Sequence, residues 1–597
     1  MDNLVFEESV NAEIDQSEFI SKKWIYVNDS NSQNYTSQVV IDSTPLANSG
    51  GWINWAEGYI VMPLVVQLST TTTANLPIGT DCADHSWAFK SGFWHMINSM
   101  TLEFNNQNVV QQTPFLNVFR SFKAMTSFSQ DDLFTEGATL GFYPDNPSSW
   151  TFAAGAAGIA GGSAENLANG VGLCNNRAVP TLFAQSPVAG ASITTASLFP
   201  ITNGIAGASN TAVSSGATNP SPYYGEPEGG YNQGFAKRQG WFGYDPQNDQ
   251  MGQALINDAI VANTVYRPVK LTQSAAGTIN WSVVAKLRLK DLSDFFLKCP
   301  LLKGSTIRFY INTNQTSITF AKTDLVFSAA GAITTQPTIS ASAVSVLGGL
   351  TNPLMISSAG LGQGSAPLPA DTYTLSINIQ KSDTGVQTAL KSCRLYAPVY
   401  KMNPLAEQRY LQLAPTKKID YCDIFQYQFS GIGVGDTFNI LVSNGITDIQ
   451  SVLVVPFLAA NGGTTYNTLL SPFSTSGATP DPITLFNFNI LVSGMNLFLN
   501  NEYYDYEQFN QELKSSNQLN GSLTTGLASG LIGEDMFSRG MRYYYGNCSR
   551  VLPSEVGVSR SVQIQGQNVS KVACNLMVFV EFKRSITIDI STGARIE

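Results

Sequence analysis

Few residues in this 597-residue chain have the type and spacing to do chemistry. There are two histidines, His85 and His95. Neither has a cysteine or carboxylate at a metal-ligand spacing, so no metal site and no cofactor site is expected. A Ser-His-Asp triad would have to use one of them. His95 lies between Trp94 and Met96 in an alternating run and reads as a sheet residue instead. Paired carboxyls of the glycosidase kind could come from Glu226 with Glu228, or from Glu502, Asp505 and Glu507 among Tyr503, Tyr504 and Tyr506. The second group fits a solvated helix face with its aromatics turned inward. The run Lys286, Arg288, Lys290 could touch nucleic acid, but it sits on one face of a strand and reads as a solvated face or subunit contact. Gly-rich pieces such as 155–162 lack the lysine of a phosphate loop. The expectation is a protein that is not an enzyme, with no catalytic, cofactor-binding or metal residues.

The elements that would position such groups are mostly strands. From Gly92 to Phe104, Trp94, Met96, Met100, Leu102 and Phe104 alternate with polar residues, the period of a half-buried strand. Asn105-Asn106 breaks it. Thr113 and Pro114 then suit an N-cap and first helical position, with Phe115, Val118, Phe119 and Phe122 on one helical face. The unit recurs at 285–313, with a strand, a short helix through Leu292–Phe296 stopped by Pro300, and a second strand from Ile307. Residues 57–69 form an apolar run suited to a strand buried on both faces. A Pro-started helical turn at 403–415 marks a domain boundary. Glu502–Leu513 is a further helix candidate.

Composition bounds the rest. Charged residues make up only 13% and aromatics 11%, with 50 Gly and 27 Pro. That mix suits many strands joined by uncharged loops. The net charge of −10 argues against a broad phosphate-binding surface. Seven scattered cysteines (82, 174, 299, 393, 422, 548, 574) without a C-x-x-C pair point to free thiols. No signal peptide and no transmembrane segment is expected, and sequons such as Asn34 and Asn568 read as chance. Residues 1–20 form an acidic arm. Residues 146–225 and 325–370 are nearly free of charge and read as long ordered loop insertions. Evenly spaced strands in both halves indicate an all-β chain of sandwich or jelly-roll sheets.

The order of three stretches carries a resemblance. GFWHMINSMTLEFNNQNVVQQTPFLNVFRSF, then LKDLSDFFLKCPLLKGSTIRFYIN, then LYAPVYKMNPLAEQRYLQLAPTKKIDY resemble the double jelly-roll major capsid proteins of virophages and polinton-like viruses, relatives of the adenovirus-type lineage. The resemblance spans residues ~20 to the end. It implies two tandem eight-stranded jelly rolls with short flanking helices: an arm at 1–20, a first roll at 20–402 carrying both insertions, and a second at 403–597. The helices Thr113–Phe122 and Leu292–Phe296 would flank the first barrel. It further implies a homotrimeric, pseudo-hexameric capsomer that tiles an icosahedral shell around a DNA genome, alongside penton or minor capsid proteins. The location implied is the virion. The acidic arm argues against direct nucleic-acid binding. The competing reading is a β-sandwich carbohydrate-binding or glycoside-hydrolysing protein.

Overall fold

The computed structural model describes residues 18–70, 85–145, 278–323, 338–358, 371–379, 390–413, 415–458, 469–470, 483–498, 503–516, 530–539, 541–550, 557–570 and 573–589. It adds short pieces at 150–151, 173–174, 233–238, 240–241, 269–275, 326–327 and 333–335.

Sixteen strands form the frame. In the first half they are β1 (Phe19–Asn28), β2 (Gln38–Asp42), β3 (Tyr59–Thr70), β4 (Ile97–Phe104), β5 (Gln107–Val110), β6 (Thr278–Arg288), β7 (Ile307–Thr313) and β8 (Arg394–Met402). In the second they are β9 (Thr416–Ile432), β10 (Thr437–Ile446), β11 (Ile449–Leu458), β12 (Leu485–Val492), β13 (Met495–Asn496), β14 (Tyr544–Asn547), β15 (Arg560–Asn568) and β16 (Cys574–Asp589). The first half pairs them as β1-β8-β3-β6 and β2-β7-β4-β5; the second as β9-β16-β11-β14 and β10-β15-β12-β13. Adding eight to each label of the first half gives the second. Two four-stranded antiparallel sheets wound in this order make a jelly roll. The chain is therefore all-β, with two jelly rolls in tandem.

Each roll is closed by the alternation of its strands. On β7, Ile307, Phe309 and Ile311 are buried while Arg308, Tyr310 and Asn312 lie between them. On β15, Val562 and Ile564 face in and Gln563 and Gln565 face out. Strand β3 is buried on both faces along most of its length, as its continuous apolar run predicts. Asn105 and Asn106 join β4 to β5 as a two-residue turn with both φ angles positive, 47° and 64°. Asparagine tolerates that geometry well.

The first roll is enlarged beyond eight strands. Gln315–Thr323, Thr338–Leu347 and Asp371–Ile379 pair in a row outward from the far half of β3, and Val269–Ala275 adds to β6. The expected loop insertion at 325–370 is thus corrected in part. Thr338–Leu347 and Leu354–Ser358 are strands, because small and β-branched uncharged residues suit sheet as readily as loop. The insertion at 146–225 lies outside the described residues except for the paired Trp150–Thr151 and Leu173–Cys174. The arm at 1–17 lies outside them too.

The helices of the described residues include α1 (Leu116–Ser127), α2 (Gln130–Leu140), α3 (Asp294–Lys298), α4 (Pro404–Leu413), α5 (Tyr506–Ser515) and α6 (Glu534–Arg539). Helices α1 and α2 lie between β5 and β6, and α5 and α6 in the equivalent place between β13 and β14. The expected helix start at Thr113–Pro114 is corrected. Helix α1 begins at Leu116 after a left-handed Phe115, and Thr113 donates its hydroxyl to the Ile424 carbonyl (2.8 Å) instead of capping. The helix runs past Phe122 to Ser127. At the other end of that stretch, Phe93–Met96 is a 3-10 turn and the strand starts only at Ile97. A side chain at Gly92 would meet the Trp94 ring at 2.5 Å, so the ring packs onto its own backbone there and the extended path is lost. The helix expected at 292–296 is interrupted at Ser293, which caps α3.

Candidate functional site

The groups that could do chemistry are dispersed. His85 opens strand His85–Phe89. His95 sits in the 3-10 turn, not in the sheet, fully buried, and neither ring nitrogen has a hydrogen-bond partner. Desolvation, with Lys90 and Arg238 adding to it, pushes its pKa down to about 3, so the ring is neutral. Asp505 caps α5, accepting from the Gln508 amide at 2.9 Å, and Glu507 lies exposed in the first turn. The cap also explains why the helix starts at Tyr506 and not at Glu502. Tyr504 is buried and donates to the Tyr545 carbonyl (2.6 Å), Tyr506 donates to the Ile532 carbonyl (3.2 Å), and only Tyr503 is widely exposed. Glu502, Glu226, Glu228 and residues 155–162 lie outside the described residues. Among the described residues no three His, Cys, Asp or Glu side chains come together as a metal site.

The basic run is divided. Lys286 lies over the Tyr59 ring at 4.3 Å, Arg288 is ion-paired to Glu136 and Asp291, and Lys290 belongs to the helical turn Leu289–Leu292 rather than to the strand. Five described cysteines are free, and burial holds Cys422, Cys548 and Cys574 at about 12, which makes them inert thiols. Asn568 is buried with its amide on the Gly433 carbonyl (3.0 Å), which leaves no room for a glycan.

What the residues do build is a seam between the rolls. Helix α1 leaves the first roll and lays Phe119 against Phe579 (5.5 Å between centroids) and Phe122 against Tyr543 and Tyr545 (5.1 and 5.7 Å). Lys123 grips both oxygens of Glu581 at 3.1 Å, and Ser451 donates to the same carboxylate. Beneath the helix, Tyr421 donates to the Val109 carbonyl (2.7 Å), and Arg584 bridges that carbonyl and Asp423, each at 2.8 Å. Asp294 of α3 accepts from the Cys422 amide (3.0 Å). The buried apolar residues of both rolls form one continuous cluster through this seam. Beside it Arg120, Thr113 and Asp423 line a cavity of about 10 Å³. A space of that size has room for a single water and none for a substrate.

Two of the outer sheet faces contrast. On the first roll, Lys22, Trp24 and Tyr26 of β1 share a face with Tyr396 and Arg394 of β8, Tyr59 of β3 and Lys286 of β6. On the second, Thr437, Asn439 and Leu441 of β10 stand beside Gln567, Gln565 and Gln563 of β15, with Phe486 and Leu491 of β12 beyond. None of these residues carries a charge. Neither face is announced by a sequence motif; each follows only from strand register.

No protein-family model and no curated protein matches this chain. Among solved structures, the chain is similar to that of the Sputnik virophage at 3.5 Å by cryo-EM (10% identity, TM-score 0.49, 97% of this chain and 88% of that one). It is also similar to the mavirus major capsid protein (10%, 0.39, 96% and 89%) and the Faustovirus major capsid protein (10%, 0.40, 98% and 94%).

Proposed function

We propose that this chain is a major capsid protein that associates in threes to tile an icosahedral virus shell. The observation that carries the reading is the strand order, written twice in one chain and locked by the α1 seam. A rigid unit with two like halves becomes, in a closed ring of three copies, a block with six like corners. Such a block can pack against neighbours in the sixfold-like positions of a shell. The boundary between the halves falls at 402–403, with α4 as a linker docked on the first roll through Glu407, which accepts from Trp52 and Lys303. Charged residues are 13% of the chain, and one outer face holds amides and apolar side chains. Such a surface desolvates few charges on assembly.

Penton or minor capsid proteins would complete the shell around a DNA genome, and the protein would reside in the virion. With 43 acidic against 33 basic residues, the chain would enclose the genome without gripping phosphates directly. Among the described residues no helix is long and apolar enough to cross a membrane. The test is the mass of the purified chain in solution by light scattering over a range of dilution. Three times 64.3 kDa, stable on dilution and pseudo-hexagonal by electron microscopy, is the expected result. A stable monomer overturns the reading.

A further inference from the structure

The outer face of β1-β8-β3-β6 is unusual in an acidic protein. Trp24 and Tyr26 are 48% and 51% exposed, on the strand face where a solvated sheet would carry small polar residues. They continue a row of rings across the sheet: Trp24 to Tyr59 at 5.5 Å, Tyr59 stacked on Tyr396 at 5.1 Å, Tyr396 to Tyr26 at 5.7 Å. Cations sit on these rings, Lys286 at 4.3 Å from Tyr59 and Arg394 at 4.6 Å from Tyr26, held by the negative ring faces. Among the described residues neither Lys286 nor Arg394 is ion-paired to a carboxylate; Arg394 reaches only the Asn28 amide oxygen and the Tyr396 hydroxyl. A face of this chemistry suits a partner that is both acidic and apolar.

The sequence that leads into β1 has this chemistry. Residues 1–17 carry Asp2, Glu7, Glu8, Glu13 and Asp15 and no lysine, arginine or histidine, with Val5, Phe6, Val10 and Ile14 between the acids. The described chain opens at Glu18, whose carbonyl accepts from the Asn403 amide (2.9 Å), at the start of β1. Seventeen residues span up to about 55 Å extended, and the β1 edge of the face about 30 Å. We propose that the acidic segment 1–17 lies on this face, its carboxylates toward Lys286 and Arg394 and its apolar side chains against Trp24 and Tyr26. This inference stands apart from the capsid reading, since it rests only on the face and the segment.

The experiment places a photo-crosslinking phenylalanine analogue at Tyr26 of the full chain and identifies the attached peptide by mass spectrometry. The expected adduct lies within residues 1–17. Its yield should fall at least tenfold in a Lys286→Glu, Arg394→Glu background, and several-fold in high salt, which screens exposed charges. Adducts elsewhere in the chain, or none, overturn the proposal. If the double charge reversal fails to fold, Lys286→Gln with Arg394→Gln serves in its place, and an unchanged yield there also overturns it.

Discussion

The two rolls are the same strand order built to two degrees of elaboration. Among the described residues the second keeps to eight strands in two sheets of four. The first holds the same eight, but its sheet extends through Gln315–Thr323, Thr338–Leu347 and Asp371–Ile379, all inserted between β7 and β8. The insertion leaves β8 in place between β1 and β3 because β3 is long enough to serve two neighbours on one edge. Tyr59–Val61 pair with β8 and Leu64–Thr70 with the added strand. Elaboration is thus carried by strand length and loops, while the pairing order is constant. The outer faces diverge in the same way, aromatic and cationic on the first roll, amide-rich and uncharged on the second.

The comparison is tested first where the rolls meet. Phe122→Ala removes the ring that touches Tyr543 and Tyr545, and should cost about 3–5 kcal/mol in chemical denaturation. If α1 is what couples the rolls, the single unfolding transition should also split in two. A loss well below that range, with one transition, would mean the rolls are coupled elsewhere. Within the first roll alone, Asp145→Asn leaves the buried Arg238 guanidinium without its 2.6 Å carboxylate partner. Breaking such a pair should cost about 3–5 kcal/mol, read as a lowered denaturant midpoint. No buried ion pair of that exposure, 1% and 0%, occurs among the described residues of the second roll, where Arg584–Asp423 is open at 24% on one side.

Acid should act on His95 of the first roll and Glu512 of the second in opposite senses. His95 has a folded pKa depressed to about 3 against an ordinary 6.5. Its contribution is whole above the ordinary value and is lost as pH falls toward the depressed one, by up to about tenfold in the folding equilibrium per pH unit. In the second roll, burial raises the Glu512 carboxyl. The folded state therefore binds that proton more readily and gains stability as pH falls through the raised value. His95→Phe should flatten the acid limb of a stability–pH curve and Glu512→Gln should steepen it. Equal curves for all three proteins would remove the distinction. The smallest expected effect is a matched pair of caps, Ser129 on α2 and Asp505 on α5. Ser129→Ala and Asp505→Ala should each cost about 1 kcal/mol, read by thermal unfolding. Unequal losses would show that the two loop helices are not equivalent supports.

Much of this was legible in the sequence, for a reason that also marks its limit. Period-two burial is local, so β7, β10 and β15 could be read directly, and Pro404 announced α4. The tandem jelly-roll order of strands was legible as a resemblance. Tertiary partners were not. Thr113 has the chemistry of an N-cap, and nothing in its neighbours says that Ile424, far along the chain, offers a better bond. Trp94 fits a strand until Gly92 lets it fold onto the backbone. Thr338–Leu347 reads as loop from its small, uncharged composition, which outweighs the alternation of Ile339, Ala341 and Ala343 with Ser340 and Ser342. For the candidate site, spacing alone set Asp505 and Glu507 apart from the inward Tyr504. No motif could have assembled the ring-and-cation face, which exists only once residues near 24 and 396 are paired.

That same pairing has a consequence for synthesis. Strand β1 takes its ladder from β8, Phe19 opposite Met402 and Asn28 opposite Arg394. On the ribosome, β1 therefore emerges long before β8 and waits without its partner until the residues between them have been made. Closing so long a loop adds little thermodynamic cost but delays folding, and an idle strand edge invites wrong neighbours. Lys22 and Lys23 are exposed on β1, the kind of edge charges that discourage such pairing while the strand waits.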